Sequence, residues 1–397
     1  MKKLLSIGLI LFLMNSLVGS TEQDFVDANN ELAFKVSRQL DSEKNYVFSP
    51  YAIYSFLGIL QLGSDSEQLS NELAVIFDFP ENKEVLARTF GSINRKITKD
   101  SVVSFPISLW LDRSKSIKPS LRSILTENFN FQYELVDVTK LQEVAGAMNR
   151  WLQKSSGGRL ANSIVADELS SINNLTSSIL NVALFDETWA EEFDADRNSF
   201  APFKLADETN INACFMNRES EEYVYHRTNE YEACTAFYVN RKYSLVLIKA
   251  IKPKSLNKFS LTDLKGIIAN TKKGRESYSL VRVNLFLPKF DFDFNLRIES
   301  VLAHVGINSI FENYVKCLVE EVSVRIEIMR MYAGIKVHEK GSQVVSNMIT
   351  HFASYGTGSY VTPVRITFRL DEEFLFYIIN EETGLILFAG KVVDPSN

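Results

Sequence analysis

Histidine and cysteine carry most metal binding and much nucleophilic chemistry, and this chain is sparing with both. His226, His304, His338 and His351, with Cys214, Cys234 and Cys317, are scattered through 397 residues with no CxxC or HxxxH spacing. No metal centre or Cys/His pair is therefore expected. The carboxylate pairs Glu191-Glu192, Glu221-Glu222 and Glu381-Glu382 are adjacent in sequence and read as solvent-facing, whereas a hydrolytic pair must converge on a substrate. No GxSxG elbow, P-loop or dinucleotide fingerprint occurs. Lys252, Lys254, Lys258, Lys265, Lys272, Lys273 and Arg275 could make a polyanion patch, while Arg88, Arg95, Lys96 and Lys99 form no dense stripe. With 43 Lys+Arg against 49 Asp+Glu and a net charge of -6, such sets read as solvated faces. The expectation is a protein with no metal site and no recognisable cofactor or catalytic motif, which binds neither nucleic acid nor glycosaminoglycan.

The elements that position the remaining chemistry begin after a leader. Lys2 and Lys3, an apolar run from Leu4 to Met14, and small Val18 and Ser20 have the pattern of a secretory signal peptide over 1–20. Asn15 and Ser16 interrupt the run before it could span a bilayer, and no later stretch is long and apolar enough. A soluble, extracellular, monomeric protein of residues 21–397 follows, with Asn174-Leu175-Thr176 as a glycosylation acceptor. Three cysteines allow at most one disulfide, or none if all are buried small hydrophobes.

No Pro/Gly/Ser-rich linker or repeat divides 21–397, so one large domain is expected. Helical spacing appears over 24–40, over 51–62 after Pro50, over 66–77 and from about Leu141 through Asn149–Gln153. β-rich runs follow at 178–185, 223–225, 234–238, 243–251, 280–287, 325–336, 362–368, 374–379 and 385–393, with short helices at 261–271 and 296–305. Helices first and strands later indicate an α+β protein with a large mixed or antiparallel sheet.

Four strings in order then resemble the serpins. They are Asn45-Tyr46-Val47-Phe48-Ser49-Pro50, with Ile53 and Leu62-Gly63; Asn181 to Phe185 with Trp189 and Phe193; Leu287-Pro288-Lys289-Phe290 with Leu302, Gly306 and Phe311; and Phe374-Leu375-Phe376 with Thr383-Gly384 and Leu387 to Pro395. The resemblance covers nearly all of 21–397. It implies the serpin fold: helices packed around a large central sheet plus smaller sheets, with an exposed reactive-centre loop at about 341–363.

The hinge of that loop, Glu339 with Gly341-Ser342-Gln343-Val344-Val345-Ser346-Asn347, is similar to the EEGTEAAAAT hinge of inhibitory members. In those members a protease cleaves the loop, which then inserts as a new strand in the main sheet. An inserting strand should lack Pro and carry little charge, and its alternate residues should suit opposite faces. Residues 342–352 meet this, with Val344, Met348 and Phe352 on one face and no formal charge if His351 is neutral. The β-branched Val344 and Val345 depart from the family's small residues, and Gln343 replaces the usual Glu.

The family's spacing places the scissile bond at Tyr355-Gly356, with Phe352 and Tyr360 as other positions. An aromatic residue there suits a chymotrypsin-like pocket, and no Lys or Arg lies between Gly341 and Pro363 to suit a trypsin-like one. By resemblance, Ser49, Asn181 and Trp189 control opening of the main sheet, and Met331 stands where the family's latch His would fall. The implied function is suicide-type inhibition of an extracellular chymotrypsin-like serine protease. The alternatives are a non-inhibitory serpin that is a protease substrate or binds a partner, or an inhibitor of a cysteine protease.

Overall fold

Ser49 sets the start of the most deeply buried helix. Its Oγ accepts the Ala52 N–H at 3.1 Å, and Pro50 occupies the first helical position, where a missing N–H costs nothing. Helix Pro50–Gly63 is buried along its whole length, as a helix apolar on every face must be. The computed structural model describes residues 22–160, 163–172, 175–252, 255–276, 281–313, 316–320, 322–324, 329–342 and 364–396. The chain divides into two compact units, one made of 22–39, Phe48–Leu184 and Phe294–Ala333, the other of Leu40–Val47, Phe185–Asp293 and the residues from Gly334 onward.

In the first unit, residues 22–37 and helices Pro50–Gly63, Glu67–Phe77 and Lys83–Ile97 share an aromatic core. Phe25 meets Tyr54 and Phe90 edge-on at 4.8 and 4.7 Å, the geometry that opposes ring edge to ring face. Gly58 lets Phe90 approach, since a Cβ there would lie 2.2 Å from the ring. The buried phenols are satisfied: Tyr51 donates to Asn94 Oδ1 at 2.6 Å and Tyr54 to the Phe77 carbonyl at 2.9 Å.

A three-stranded sheet completes this unit. Strand Ile107–Asp112 lies between Phe131–Val136, which is parallel to it, and Ser177–Asn181, which is antiparallel. Just past Asn181, Val182 makes a parallel bridge with Tyr332. Helix Leu141–Ser155 covers this region, its Val144, Met148 and Leu152 clustering with Trp110, Leu180, Val182 and Tyr332. The i, i+4, i+8 spacing of those three residues gives the helix its apolar stripe.

The second unit holds most of a sheet ordered Phe290–Arg297, Arg330–His338, Gly341–Ser342, Glu187–Thr188, and two further sheets. One has the order Tyr46–Phe48, Ile386–Val392, Phe374–Asn380, Tyr243–Ala250, Tyr231–Phe237, Val224–Arg227. Its inner strands are buried on both faces, which explains apolar runs without alternation. The turn between Phe374–Asn380 and Ile386–Val392 uses Gly384 at φ +77°, and Asn380 Oδ1 receives the Thr383 N–H at 3.0 Å. The other sheet has the order Val364–Arg369, Val281–Pro288, Asn210–Ser220, Ser199–Lys204, its first pair parallel and the others antiparallel. Among the described residues no helix is long and apolar enough to cross a membrane, and no His/Cys/Asp/Glu group could hold a metal. The three cysteines are free thiols, Cys234 and Cys317 buried and Cys214 half-buried.

Candidate functional site: the hinge and its clamp

Strand Arg330–His338 ends in a tight turn at Glu339-Lys340, and the chain returns as the two-residue strand Gly341–Ser342. This hinge strand has a partner on each side. Gly341 and Ser342 pair antiparallel with His338 and Val337, and also with Thr188 and Glu187. Gly341 must be glycine because of close approach: a Cβ would fall 2.2 Å from the Glu187 carbonyl oxygen and 2.7 Å from Thr188 Cα.

Aromatic side chains hold the seat. Ser342, 2% exposed, shares a 2.7 Å hydrogen bond with the Tyr238 hydroxyl. Burial drives the Tyr238 phenol well above its usual range, so it stays protonated. Tyr238 stacks on Trp189 with ring centres 4.6 Å apart and planes at 12°. Trp189 also fixes the turn, its Nε1 donating to the His338 carbonyl at 2.8 Å and its backbone N–H to that of Lys340 at 2.9 Å. The Phe193 N–H donates to the Glu339 carbonyl at 2.8 Å, so the three carbonyls from His338 to Lys340 are all bonded.

Glu339 forms the charged part of the clamp. Its Oε1 accepts from Lys289 Nζ at 2.8 Å and from Asn198 Nδ2 at 2.5 Å. Burial would raise this carboxyl, but the Lys289 hydrogen bond and charge, with Asn198, outweigh it and bring the group from 4.5 down to about 2. His338 is held below 6.5, mainly by burial and further by Lys336, Lys289 and Lys340, against the opposing pull of Glu339. Its Nδ1 accepts the Lys340 N–H at 3.2 Å, a role open only to an unprotonated nitrogen.

Glu339, Gly341, Ser342 and Trp189 thus come together in the second unit. Gln343, Val344, Val345, Ser346, Asn347, the Tyr355-Gly356 bond, Asn174 and the 1–20 leader lie outside the described residues. Ser49, Asn181 and Met331 belong to the first unit. Ser49 caps its helix, as above. Asn181 is 9% exposed, and its Nδ2 donates to the Ala52 carbonyl at 2.8 Å, while no donor reaches its Oδ1 among the described residues. Met331, one position before the Val182–Tyr332 bridge on the opposing strand, is buried and brings no donor there. Tyr238, Asn198 and Lys289 were not legible as hinge partners, because each comes from a distant stretch of chain. Lys289 alone carried a signal, through its place in the Leu287–Phe290 string.

Comparisons with known proteins agree with this geometry. The sequence model of the family described as "Serpin (serine protease inhibitor)" matches residues 27–395. Serpin-Z4 of Arabidopsis thaliana is 25% identical over 414 residues, covering 96% of this chain and 99% of that protein. A second Arabidopsis thaliana protein, named "Probable non-inhibitory serpin-Z5", is 26% identical over 380 residues, covering 89% of this chain and 79% of its own length. The crystal structure of serine protease inhibitor (serpin)-12 from Manduca sexta matches with a TM-score of 0.77 at 20% identity, over 93% of this chain and 99% of that one. With the family match running through both units and including the hinge, the chain belongs to the serpin family.

Proposed function

We propose that this serpin is a secreted suicide-type inhibitor of a chymotrypsin-like serine protease, with Tyr355-Gly356 as the bait bond. The observation that carries the reading is the seated hinge: Gly341–Ser342 already runs as a strand between Val337–His338 and Glu187–Thr188. A loop that continues from a strand with both neighbours in place lengthens a strand already begun, and must then part the Val182–Tyr332 bridge. The target's serine would attack the Tyr355 carbonyl, forming an ester and releasing the new amine at Gly356. Inhibition follows if insertion outruns hydrolysis of that ester. Burying Val344, Met348 and Phe352 would contribute roughly 1.5–3 kcal/mol each to the inserted state. The reactive group comes from the protease, so the serpin supplies bait and strand and no catalysis.

A specific pair of observations favours a second, non-inhibitory reading. Val344 and Val345 are stiff and bulky where the sheet must first open, and with Met331 in the latch position no donor reaches Asn181 Oδ1 among the described residues. One experiment separates the readings: the purified mature protein is mixed in excess with chymotrypsin and run on a denaturing gel. A covalent band near the summed mass, with a released fragment beginning at Gly356, is the expected result. Cleaved serpin with fully active protease overturns it in favour of the second reading.

A further inference from the structure

The first unit holds a half-open cavity of about 440 Å³ between helix Pro50–Gly63 and the strand Ser177–Asn181. Close-packed interiors rarely leave more than the space of a water molecule. Small-molecule sites take the form seen here, several hundred Å³ with mostly apolar walls and a few polar groups. Ile53, Phe56 and Leu60 project from one face of the helix, at the i, i+3, i+7 spacing, and Met148, Ile179 and Met331 are also in the wall. Two of these are thioethers, whose flexible, polarizable chains adapt to an irregular guest. The polar wall includes Thr176-Ser177-Ser178, all half-buried, with Glu168, Asn181 and Ser323 elsewhere in the lining.

Charge narrows the guest. Among the described residues no Lys, Arg or His lines the cavity, and the one carboxyl there is that of Glu168. An anionic head group would enter without a counter-charge, at a large desolvation cost. A neutral hydroxyl could both donate to and accept from the seryl and threonyl hydroxyls.

We propose that this cavity binds a neutral, largely apolar small molecule bearing a hydroxyl, such as a long-chain or polycyclic alcohol. Met331 and Tyr332, the residue that bridges Val182, both line the cavity, so a guest braces the strands that an added strand would have to part. A bound guest therefore slows loop insertion, a consequence that rests on the inhibitory reading; the binding itself does not.

The test uses the full mature protein and the neutral dye Nile red. Saturable one-to-one binding is expected, with 1-decanol displacing the dye at least tenfold better than decanoate. Ser178→Trp and Ile53→Trp, each checked for native circular dichroism and thermal unfolding, should weaken dye binding at least tenfold. Two variants are used because the deeper Ile53→Trp could fail to fold. Absence of saturable binding, equal displacement by the alcohol and the acid, or full binding by a folded filling variant each overturns the proposal. The chymotrypsin gel is then repeated with and without 1-decanol. Dye binding without any covalent band leaves this site standing and removes the inhibitory reading; a covalent band without dye binding does the reverse.

Discussion

Among the described residues the Asn181 side chain makes one hydrogen bond where a buried amide wants more. Its Nδ2 is bonded to the Ala52 carbonyl, and its Oδ1 has no donor among the described residues, a deficit worth about 1–3 kcal/mol. Met331→His places a donor on the opposing strand, level with Asn181. The variant is expected to unfold at higher denaturant, by about 1 kcal/mol. Unchanged stability in equilibrium denaturation would sink this account of the latch.

Glu339 gives a pH signature at the same scale. Its folded carboxyl titrates near 2 against an ordinary 4.5, so the folded state binds its proton less readily than the unfolded chain. Such a group contributes stability that is fully present above about 4.5 and is lost as pH falls toward about 2. Glu339→Gln should therefore be less stable than the parent at pH 7, with the gap in unfolding temperature closing between pH 4.5 and 2. A gap that stays constant through that window would mean the Lys289 and Asn198 contacts act through packing alone.

Among elements, the hinge strand is decisive because it is so short. Two residues hold it, and Gly341→Ala would push a methyl against the Glu187 carbonyl. The variant is expected to lose about 1–3 kcal/mol in equilibrium unfolding and to become more susceptible to proteolysis around 341; parental values for both would contradict the close approach. Val344→Ala with Val345→Ala should act on insertion instead, raising several-fold the covalent complex formed per loop cleaved, as densitometry would measure. No change in that partition would clear the valines of slowing the first step.

Elements also differ in how openly the sequence declares them. Helix Pro50–Gly63 was legible from Pro50 and Gly63, and the expected 24–40 helix is found at 22–37. Helix Lys83–Ile97 went unread, though Leu86, Phe90, Ile93 and Ile97 are buried at helical spacing and Asn82 caps it. Strand Phe290–Arg297 alternates Phe and Asp in plain view, yet only Phe290 was read, in its family string, and the helix expected from 296 begins at Glu299 instead. Strand Ile107–Asp112 is harder, because burial on both faces removes the alternation that would mark it. For the hinge, Gly341 and Trp189 were readable from family strings. Tyr238 and Asn198 were not, since a stacked ring and an amide donor become hinge contacts only when the sheet brings residues about a hundred or more positions apart into register.

At the scale of the molecule, chain order and spatial order disagree. In the second unit's six-stranded sheet, Phe374–Asn380 and Ile386–Val392 lie between Tyr243–Ala250 and Tyr46–Phe48, and every residue of both is buried. A chain cut after Glu373 should lack cooperative unfolding by circular dichroism and be degraded rapidly by thermolysin; a folded, resistant product would show that this sheet can close without them. Strand Phe374–Asn380 also supplies the partner for the edge of Tyr243–Ala250. On a ribosome adding about 5–20 residues per second, that edge waits roughly 6–25 s after its own synthesis for residues beyond 373. For that interval an apolar strand stands unpaired and open to another nascent chain. Overproduction is then a hazard of timing, and slower translation past 250 would lengthen the exposure.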